Sequence, residues 1–258
     1  QYEGLHLDIQ DYRFDLAREI AGSAEYINQR LLPAGKRTGL MLWTGNCVTT
    51  ADALRAAQDA QLLNLNGGDT SITRSRNSWT LMAGLGLQRN GHFQVFAPNQ
   101  NENVYTNQWT GPFYGFDRVI ETFELTDKPH RFKPVNLYYH TYSASKTASL
   151  NALHRIYAWV AGQDLHPVFA SDYIRKVQDF NSMVIARTPT GYRVRGGGNL
   201  RTLRIPEGLQ GVVDWEASAG VAGSHPAPEG TYLHLTGGSA ELVAPASAAT
   251  RPYLAEAN

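Results

Sequence analysis

Several features that mark particular protein classes are scarce in this sequence of 258 residues. The chain has one cysteine, Cys47, so no disulfide can form within it. A lone free cysteine is usually a small buried hydrophobe. No apolar run approaches the roughly 20 residues that span a bilayer, and no signal-peptide core follows Gln1. These absences predict a protein without membrane insertion and a chain trimmed from something longer.

The charge balance and the histidine spacing exclude further classes. Lys+Arg and Asp+Glu both number 23, whereas a nucleic-acid binder needs a surplus of cations to displace phosphate counterions. We therefore expect no nucleic-acid partner. His-x-x-x-His, His-Glu-x-x-His and Cys-x-x-Cys spacings do not occur, so no metal ligands can be assigned from the sequence. The 42% hydrophobic content is sufficient for a buried core.

What the chain does have is an alternation of predicted strands and helices. Apolar residues at three- and four-residue spacing predict helices at 12–32, 50–60, 116–126, 146–161 and 172–180. Short apolar runs predict strands at 39–43, 62–65, 92–96, 134–139 and 166–170. Strands that alternate with helices of this length are typical of βα units around a largely parallel sheet or barrel, an α/β fold.

The pattern changes near residue 182. Short β-like pieces follow at 183–186, 192–194, 200–205, 231–235 and 241–243, separated by glycine- and proline-rich turns. We predict a (β/α) domain at 1–181 and a small antiparallel β module at 182–258, with an alanine-rich, frayed tail.

Candidate catalytic residues lie where predicted strands end. In βα folds the functional groups cluster on the loops that follow the carboxyl ends of strands. His140 ends one predicted strand, where an imidazole can act as a general acid or base near neutral pH. A carboxylate must orient it, and Asp69 at the end of another strand is the predicted partner. The alternative is that His140 is a buried histidine of the core and that Asp69 is an ordinary turn residue, neither of them catalytic. Ser143 and Lys146 have the Ser-x-x-Lys spacing of a serine nucleophile motif. The Lys-Thr-Gly element that accompanies this motif is missing, so the spacing is weak evidence for a serine nucleophile.

The segment 99–109 is the most unusual stretch, because amides and aromatics are concentrated in it. Aromatic faces stack on sugar rings, while amides and carboxylates bind the hydroxyls, so we predict a carbohydrate cleft. The alternative is a packed surface loop with its own small core. The predicted substrate-binding residues are Trp43, Asn46, Asn101, Glu102, Asn103, Tyr105, Trp109 and Tyr139.

Four strings of the sequence carry a family resemblance. The segments 63–70, 95–107, 109–116 and 136–145 look like the deacetylase domain of PelA-type proteins, the periplasmic, multidomain proteins that partially deacetylate the Pel biofilm exopolysaccharide. The likeness covers nearly the whole chain. It implies a hydrolase, a carbohydrate esterase that removes N-acetyl groups from amino sugars. The implied partners are an amino-sugar polysaccharide and, as further candidates, other exopolysaccharide biosynthesis proteins.

The resemblance also implies an architecture and a mechanism. Metal-dependent polysaccharide deacetylases use a distorted (β/α) barrel and a zinc-like divalent metal held by one aspartate and two histidines. By resemblance, His140 is the general acid and Asp69 tunes it. The family's metal ligands belong amino-terminal to residue 12 and are not identifiable in this chain. We therefore expect the carboxy-terminal part of such a barrel, inactive on its own.

Two functions from other classes remain open at this point. A non-catalytic carbohydrate-binding or assembly module would use the same aromatic segment without chemistry. A glycoside hydrolase would need two carboxylates on either side of the bond, which Glu102 and Asp69 would supply.

Overall fold

A computed structural model describes residues 9–45, 47–127, 130–206 and 213–244, except for the side chains of residues 215 and 216. The chain divides into two compact units, Gln1–Ile174 and Arg175–Asn258. The predicted boundary lies near residue 182, a few positions further along the chain. Within the described residues the fold is mixed helix and strand, and its sheets have two to four strands.

The first unit begins with a helical segment and one βαβ arrangement. A π-helical turn, Arg18–Gly22, continues into α1 (Ser23–Arg30). Strand β1 (Leu40–Leu42) pairs in parallel with β2 (Leu63–Leu65), and α2 (Ala51–Asp59) connects them. The Thr50 side chain accepts a hydrogen bond from the Ala53 N–H and thereby caps α2. The apolar faces of these elements form one core around Ile20, Leu54 and Ala57.

A hairpin follows where one further parallel strand was predicted. Strands β3 (Gly86–Arg89) and β4 (His92–Val95) pair antiparallel, and β3 was missed. Asn90 and Gly91 connect them with positive φ angles of 47° and 85°. An Asn-Gly turn of this kind matches the twist of a two-residue hairpin. The Asn-Gly pair was therefore a sequence signal for this hairpin. The prediction of a largely parallel sheet is wrong for β3 and β4.

The rest of the first unit is mainly helical. It contains 3₁₀ turns at Trp79–Leu81, Gly115–Arg118 and Thr141–Ser145, and helices α3 (Glu102–Tyr105), α4 (Val119–Leu125) and α5 (Thr147–Ala161). Phe116, Phe123 and Ile156 form its second core. Helix α6 (Ala170–Ser182) crosses the boundary between the units.

Two predicted strands are absent from the described part of the chain. Residues 134–139 pair with no strand. Pro134 has no N–H to offer a partner strand, and the N–H of the next residue, His140, donates to the Glu102 side chain. The apolar side chains of this segment still pack on the second core. Residues 166–169 are irregular, and Phe169 is 79% exposed, so no burial favours a strand there.

The second unit contains two antiparallel sheets around one core. Strands β5 (Val184–Thr188), β6 (Gly191–Arg195), β7 (Thr202–Pro206), β10 (Gly230–Leu235) and β11 (Ser239–Val243) lie close to the predicted pieces. Strands β8 (Asp214–Ala219) and β9 (Val221–Ala227) were missed. The sheet orders are β5-β6-β11-β8 and β7-β10-β9. Val194, Leu233 and Leu242 from the two sheets share the core. The predicted frayed tail from residue 245 onward lies outside the described residues.

Candidate active site

The centre of the candidate site is a histidine held by a buried carboxylate. The Nδ1 of His140 lies 2.9 Å from Oε1 of Glu102, and the backbone N–H of His140 donates to the same oxygen at 2.8 Å. The hydroxyl of Ser143 donates to it as well, at 3.1 Å. Glu102 is 1% exposed, whereas the His140 side chain is 40% exposed. The ring is thus fixed at one nitrogen and open to solvent over part of its surface.

The carboxylate determines which ring nitrogen of His140 carries the proton. Because an ionised carboxylate only accepts hydrogen bonds, Nδ1 must donate to it, and Nε2 is then the nitrogen for proton exchange. Glu102 is the first residue of α3, directly after its N-cap Asn101, and its position near a helix N-terminus favours a negative charge. Its second oxygen, Oε2, is buried and has no hydrogen-bond partner among the described residues.

Tyr142 adds a second layer to this arrangement. Its ring stacks on the His140 imidazole at a centroid distance of 4.8 Å and an angle of 6°. Its hydroxyl donates to Oδ1 of Asn103 at 2.9 Å and lies 3.1 Å from Nδ1 of His140. Burial and the nearby Glu102 carboxylate raise the pKa of the Tyr142 hydroxyl. The phenol therefore stays neutral and keeps its proton for Asn103.

The structure corrects the predicted partner of His140. Asp69 does not hold Nδ1, since Glu102 occupies that position. The Oδ1 of Asp69 instead accepts a hydrogen bond from Nε2 of Gln100 at 2.8 Å. The prediction was wrong because Glu102 lies 38 positions from His140 along the chain, and sequence spacing does not tell which carboxylate reaches the imidazole.

Asp69 lines a polar cavity of about 470 Å³. The cavity wall is rich in side-chain amides and includes the backbone of the Gly67-Gly68 turn. Its lining residues are Gly45, Cys47, Asn66, Gly67, Gly68, Asp69, Gln100, Asn101, Asn103, Val104, Asn107, Gln108 and Tyr138. Asn103 belongs to this wall and also accepts the hydrogen bond from Tyr142, so the cavity and the His140 cluster share a residue.

Two stretches of left-handed backbone build the cavity wall. Asn66, Gly67 and Gly68 have φ angles of 113°, 99° and 78°. A Cβ at Gly68 would lie 2.9 Å from the Phe96 ring, so only glycine fits there. The second stretch is Asn107 to Trp109, with φ angles of 49°, 53° and 62°. Successive non-glycine residues in this region are costly and are concentrated at functional sites.

The predicted substrate-binding residues divide into groups by their position. Asn101 and Asn103 line the cavity. Trp109 packs on Tyr142 at a ring distance of 4.9 Å, beside the His140 cluster. Glu102 is buried, so its carboxylate serves His140 and not a sugar. Asn46 lies outside the described residues.

The three remaining aromatics form part of the protein's own packing. Trp43 is 7% exposed and belongs to the first core, and its Nε1 donates to Oδ1 of Asn64. Tyr105 is 8% exposed, and its hydroxyl lies 2.8 Å from that of Thr122. Tyr139 packs on the second core. The alternative of a local aromatic core is therefore correct for Tyr105.

Sequence reasoning missed other members of the cluster and the cavity. Tyr142 was not assigned a role, although it follows His140 by two residues. Asn66, Gln100 and Tyr138 were also unassigned, and the Nδ2 of Asn66 donates to the Tyr138 hydroxyl at 2.7 Å. The strand-end rule that selected Asp69 pointed to the same loops and was the available signal.

The described residues do not provide a ligand set for the divalent metal that the resemblance implies. Among them, no three His, Cys, Asp or Glu side chains come together in a way that suits a metal ion. None of the described helices combines the length and apolar character that a bilayer crossing requires. No protein-family model, no curated protein and no solved structure matches this chain.

Proposed function

We propose that this chain is part of a metal-dependent polysaccharide N-deacetylase, a carbohydrate esterase acting on amino sugars of a Pel-like biofilm exopolysaccharide in the periplasm. The observation that carries the proposal is the His140 imidazole, oriented by the buried Glu102 carboxylate at 2.9 Å and placed beside a polar, amide-lined cavity. A histidine oriented in this way is a typical general acid or base.

Deacetylation assigns a defined task to His140. Water adds to the acetamide carbonyl, the C–N bond breaks, and acetate and a free amine leave. The amine is a poor leaving group unless it is protonated, and Nε2 of a protonated His140 supplies that proton while Glu102 stabilises the imidazolium. The proton released by the added water returns to His140, so the histidine is restored. Ser143 does not act as a nucleophile in this scheme, because its hydroxyl already donates to Glu102.

We also propose that the first unit is part of a distorted (β/α) barrel. The parallel pair β1 and β2 with α2 between them is one βα repeat of the kind such barrels use. The implied zinc-like metal would supply Lewis-acid and water-activating chemistry when bound.

The two alternatives fit the geometry less well. Burial of Glu102 weighs against glycoside hydrolysis, since a carboxylate that is 1% exposed and committed to His140 does not reach a glycosidic bond. A non-catalytic sugar-binding module would use the amide-lined cavity alone. Sugar binding alone does not require a buried carboxylate that orients the His140 ring.

Acetate release tests the proposal. This chain and a version extended toward the amino terminus are each incubated with oligomers of N-acetylgalactosamine or N-acetylglucosamine, with and without added Zn²⁺ or Co²⁺, and released acetate is counted. We expect His140→Ala to lower the rate by about 10²- to 10⁴-fold, the usual contribution of a general acid. His154→Ala is the matched control, because His154 lies on the exposed side of α5.

Two results would contradict the proposal. If neither this chain nor a version extended toward the amino terminus releases acetate while both bind the oligomers, the binding module is the better description. Equal rates for His140→Ala and His154→Ala would remove His140 from the mechanism.

A further inference from the structure

The cavity beside the His140 cluster has an unusual charge. Asp69 is the one carboxylate among its described lining residues, and that lining contains no lysine, arginine or histidine. The other polar side chains are one tyrosine and six neutral amides, namely Asn66, Gln100, Asn101, Asn103, Asn107 and Gln108. The cavity therefore carries a single negative charge surrounded by neutral hydrogen-bonding groups.

Asp69 is available to a ligand. The residue is exposed, and its Oδ1 accepts a hydrogen bond from the neutral Nε2 of Gln100 at 2.8 Å. A neutral amide orients the carboxylate and leaves its charge uncompensated. Because Glu102 holds His140, Asp69 is not needed as the orienting carboxylate of the imidazole.

We propose that this cavity is a subsite for a free amino sugar, a hexosamine unit whose ammonium group pairs with Asp69. The inference rests on the proposed function, because the acetylated unit at His140 and the free amine in the cavity then belong to one polymer. An ammonium group has three donors and gains a charge-assisted hydrogen bond from a carboxylate. A neutral acetamido group gains no such charge-assisted bond. The amide side chains of the cavity can hydrogen-bond the hydroxyls of the free and the acetylated sugar alike, so the preference depends on Asp69.

The subsite is connected to the candidate catalytic cluster. Asn103 lines the cavity, and its Oδ1 accepts the hydrogen bond from Tyr142, whose hydroxyl lies 3.1 Å from Nδ1 of His140. Two side chains thus separate the cavity from the imidazole. An enzyme with this arrangement prefers to deacetylate a unit that has a deacetylated neighbour, so it converts a partly processed chain faster than an untouched one.

Binding measurements separate the subsite from the chemistry. Isothermal titration calorimetry compares a glucosamine tetramer with an N-acetylglucosamine tetramer on the same chain. We expect the amine-bearing tetramer to bind about tenfold more tightly at about 50 mM salt, and the preference to shrink at about 500 mM salt as the charges are screened. Asp69→Asn removes the preference, whereas Asp69→Glu retains most of it. Asp59→Asn is the matched control, since Asp59 is exposed at the end of α2.

Each outcome decides the inference independently of acetate release. Equal affinities, or a preference that persists in Asp69→Asn, would overturn the subsite. Tighter binding of the acetylated tetramer would overturn it too, and would assign the cavity to the acetamido group. An Asp69-dependent amine preference without acetate release from either this chain or its extended version would support the subsite and count against deacetylation. Acetate release without an amine preference would remove the subsite alone.

Discussion

Two buried carboxylates, one in each unit, show what distinguishes a candidate functional group from a structural one. Glu102 in the first unit is 1% exposed, and its Oε1 holds the ring of His140, which is itself partly open to solvent. Asp179 in the second unit is 5% exposed and accepts hydrogen bonds from the backbone N–H groups of Gly197, Asn199 and Leu200.

The difference lies in the groups that each carboxylate serves. Asp179 uses both oxygens to satisfy backbone donors of one glycine-rich loop, and it thereby fixes that loop against the end of α6. Glu102 leaves Oε2 without a partner among the described residues and concentrates its bonds on Oε1, around a titratable side chain. Burying a charge that is only half satisfied is costly, and such arrangements persist where a function requires them.

The largest expected effect is the loss of acetate release caused by Glu102→Gln. The amide keeps the shape of the side chain and an oxygen that can accept from Nδ1, but it loses the negative charge that stabilises a protonated His140. We expect acetate release to fall by about 100-fold or more, while the free energy of unfolding changes by about 1 kcal/mol or less. The measurement pairs initial rates with urea unfolding. An unchanged rate would mean that the Glu102–His140 contact is merely structural.

The next largest effect is expected for Asp179→Ala, which should lower stability and leave acetate release largely unchanged. The change leaves three backbone N–H groups without their acceptor, so the free energy of unfolding of the second unit should fall by about 2 to 4 kcal/mol. Urea unfolding followed by circular dichroism measures it, with Asn181→Ala as a control, since Asn181 is exposed on the same helix. A loss of stability as small as that of the control would contradict the structural role of Asp179.

The smallest effect concerns the pH dependence of that stability. Burial on its own raises the pKa of Asp179, but the N–H groups of Leu200 and Asn199 outweigh it, and the net pKa is lower than usual. A carboxyl with a lowered pKa in the folded state stabilises the fold above its unfolded pKa of about 3.9. This contribution is lost as the pH falls through the folded pKa.

Unfolding at a series of pH values tests this sign. The gap in unfolding free energy between the parent protein and Asp179→Ala should stay constant above about pH 5 and narrow below about pH 4. A gap that widens on acidification would contradict the lowered pKa.

Much of the local structure could be predicted from sequence periodicity. The helices around α2, α4 and α5 and the strands β1 and β2 lie where apolar spacing placed them, because burial of one face constrains the sequence directly. The segment 134–139 was mistaken for a strand, because an apolar extended stretch has the same pattern whether or not another strand pairs with it. The hairpin at Asn90 and Gly91 was missed, although its turn residues are a recognised signal.

The candidate site shows the same division between local and distant information. His140 stood out by its position after an apolar stretch, and Asn101 and Asn103 stood out by the amide-rich segment that contains them. The carboxylate behind His140 could not be identified, because Glu102 lies 38 positions away along the chain and Asp69 is an equally plausible strand-end residue. Tyr105 and Glu102 were taken for ligand-facing groups because sequence does not report on which side of a four-residue helix a side chain lies.

By itself, the sequence determined the helices around α2, α4 and α5 and the approximate positions of five strands after residue 182, and it selected His140 as a candidate functional residue. These properties depend on the spacing of apolar and turn residues within a few positions of one another. Only the tertiary structure decided that Glu102 holds His140 and that Asp69 lies in a separate amide-lined cavity. Hydrogen bonds between distant residues depend on distances of about 3 Å, which the folded chain sets and the order of residues does not.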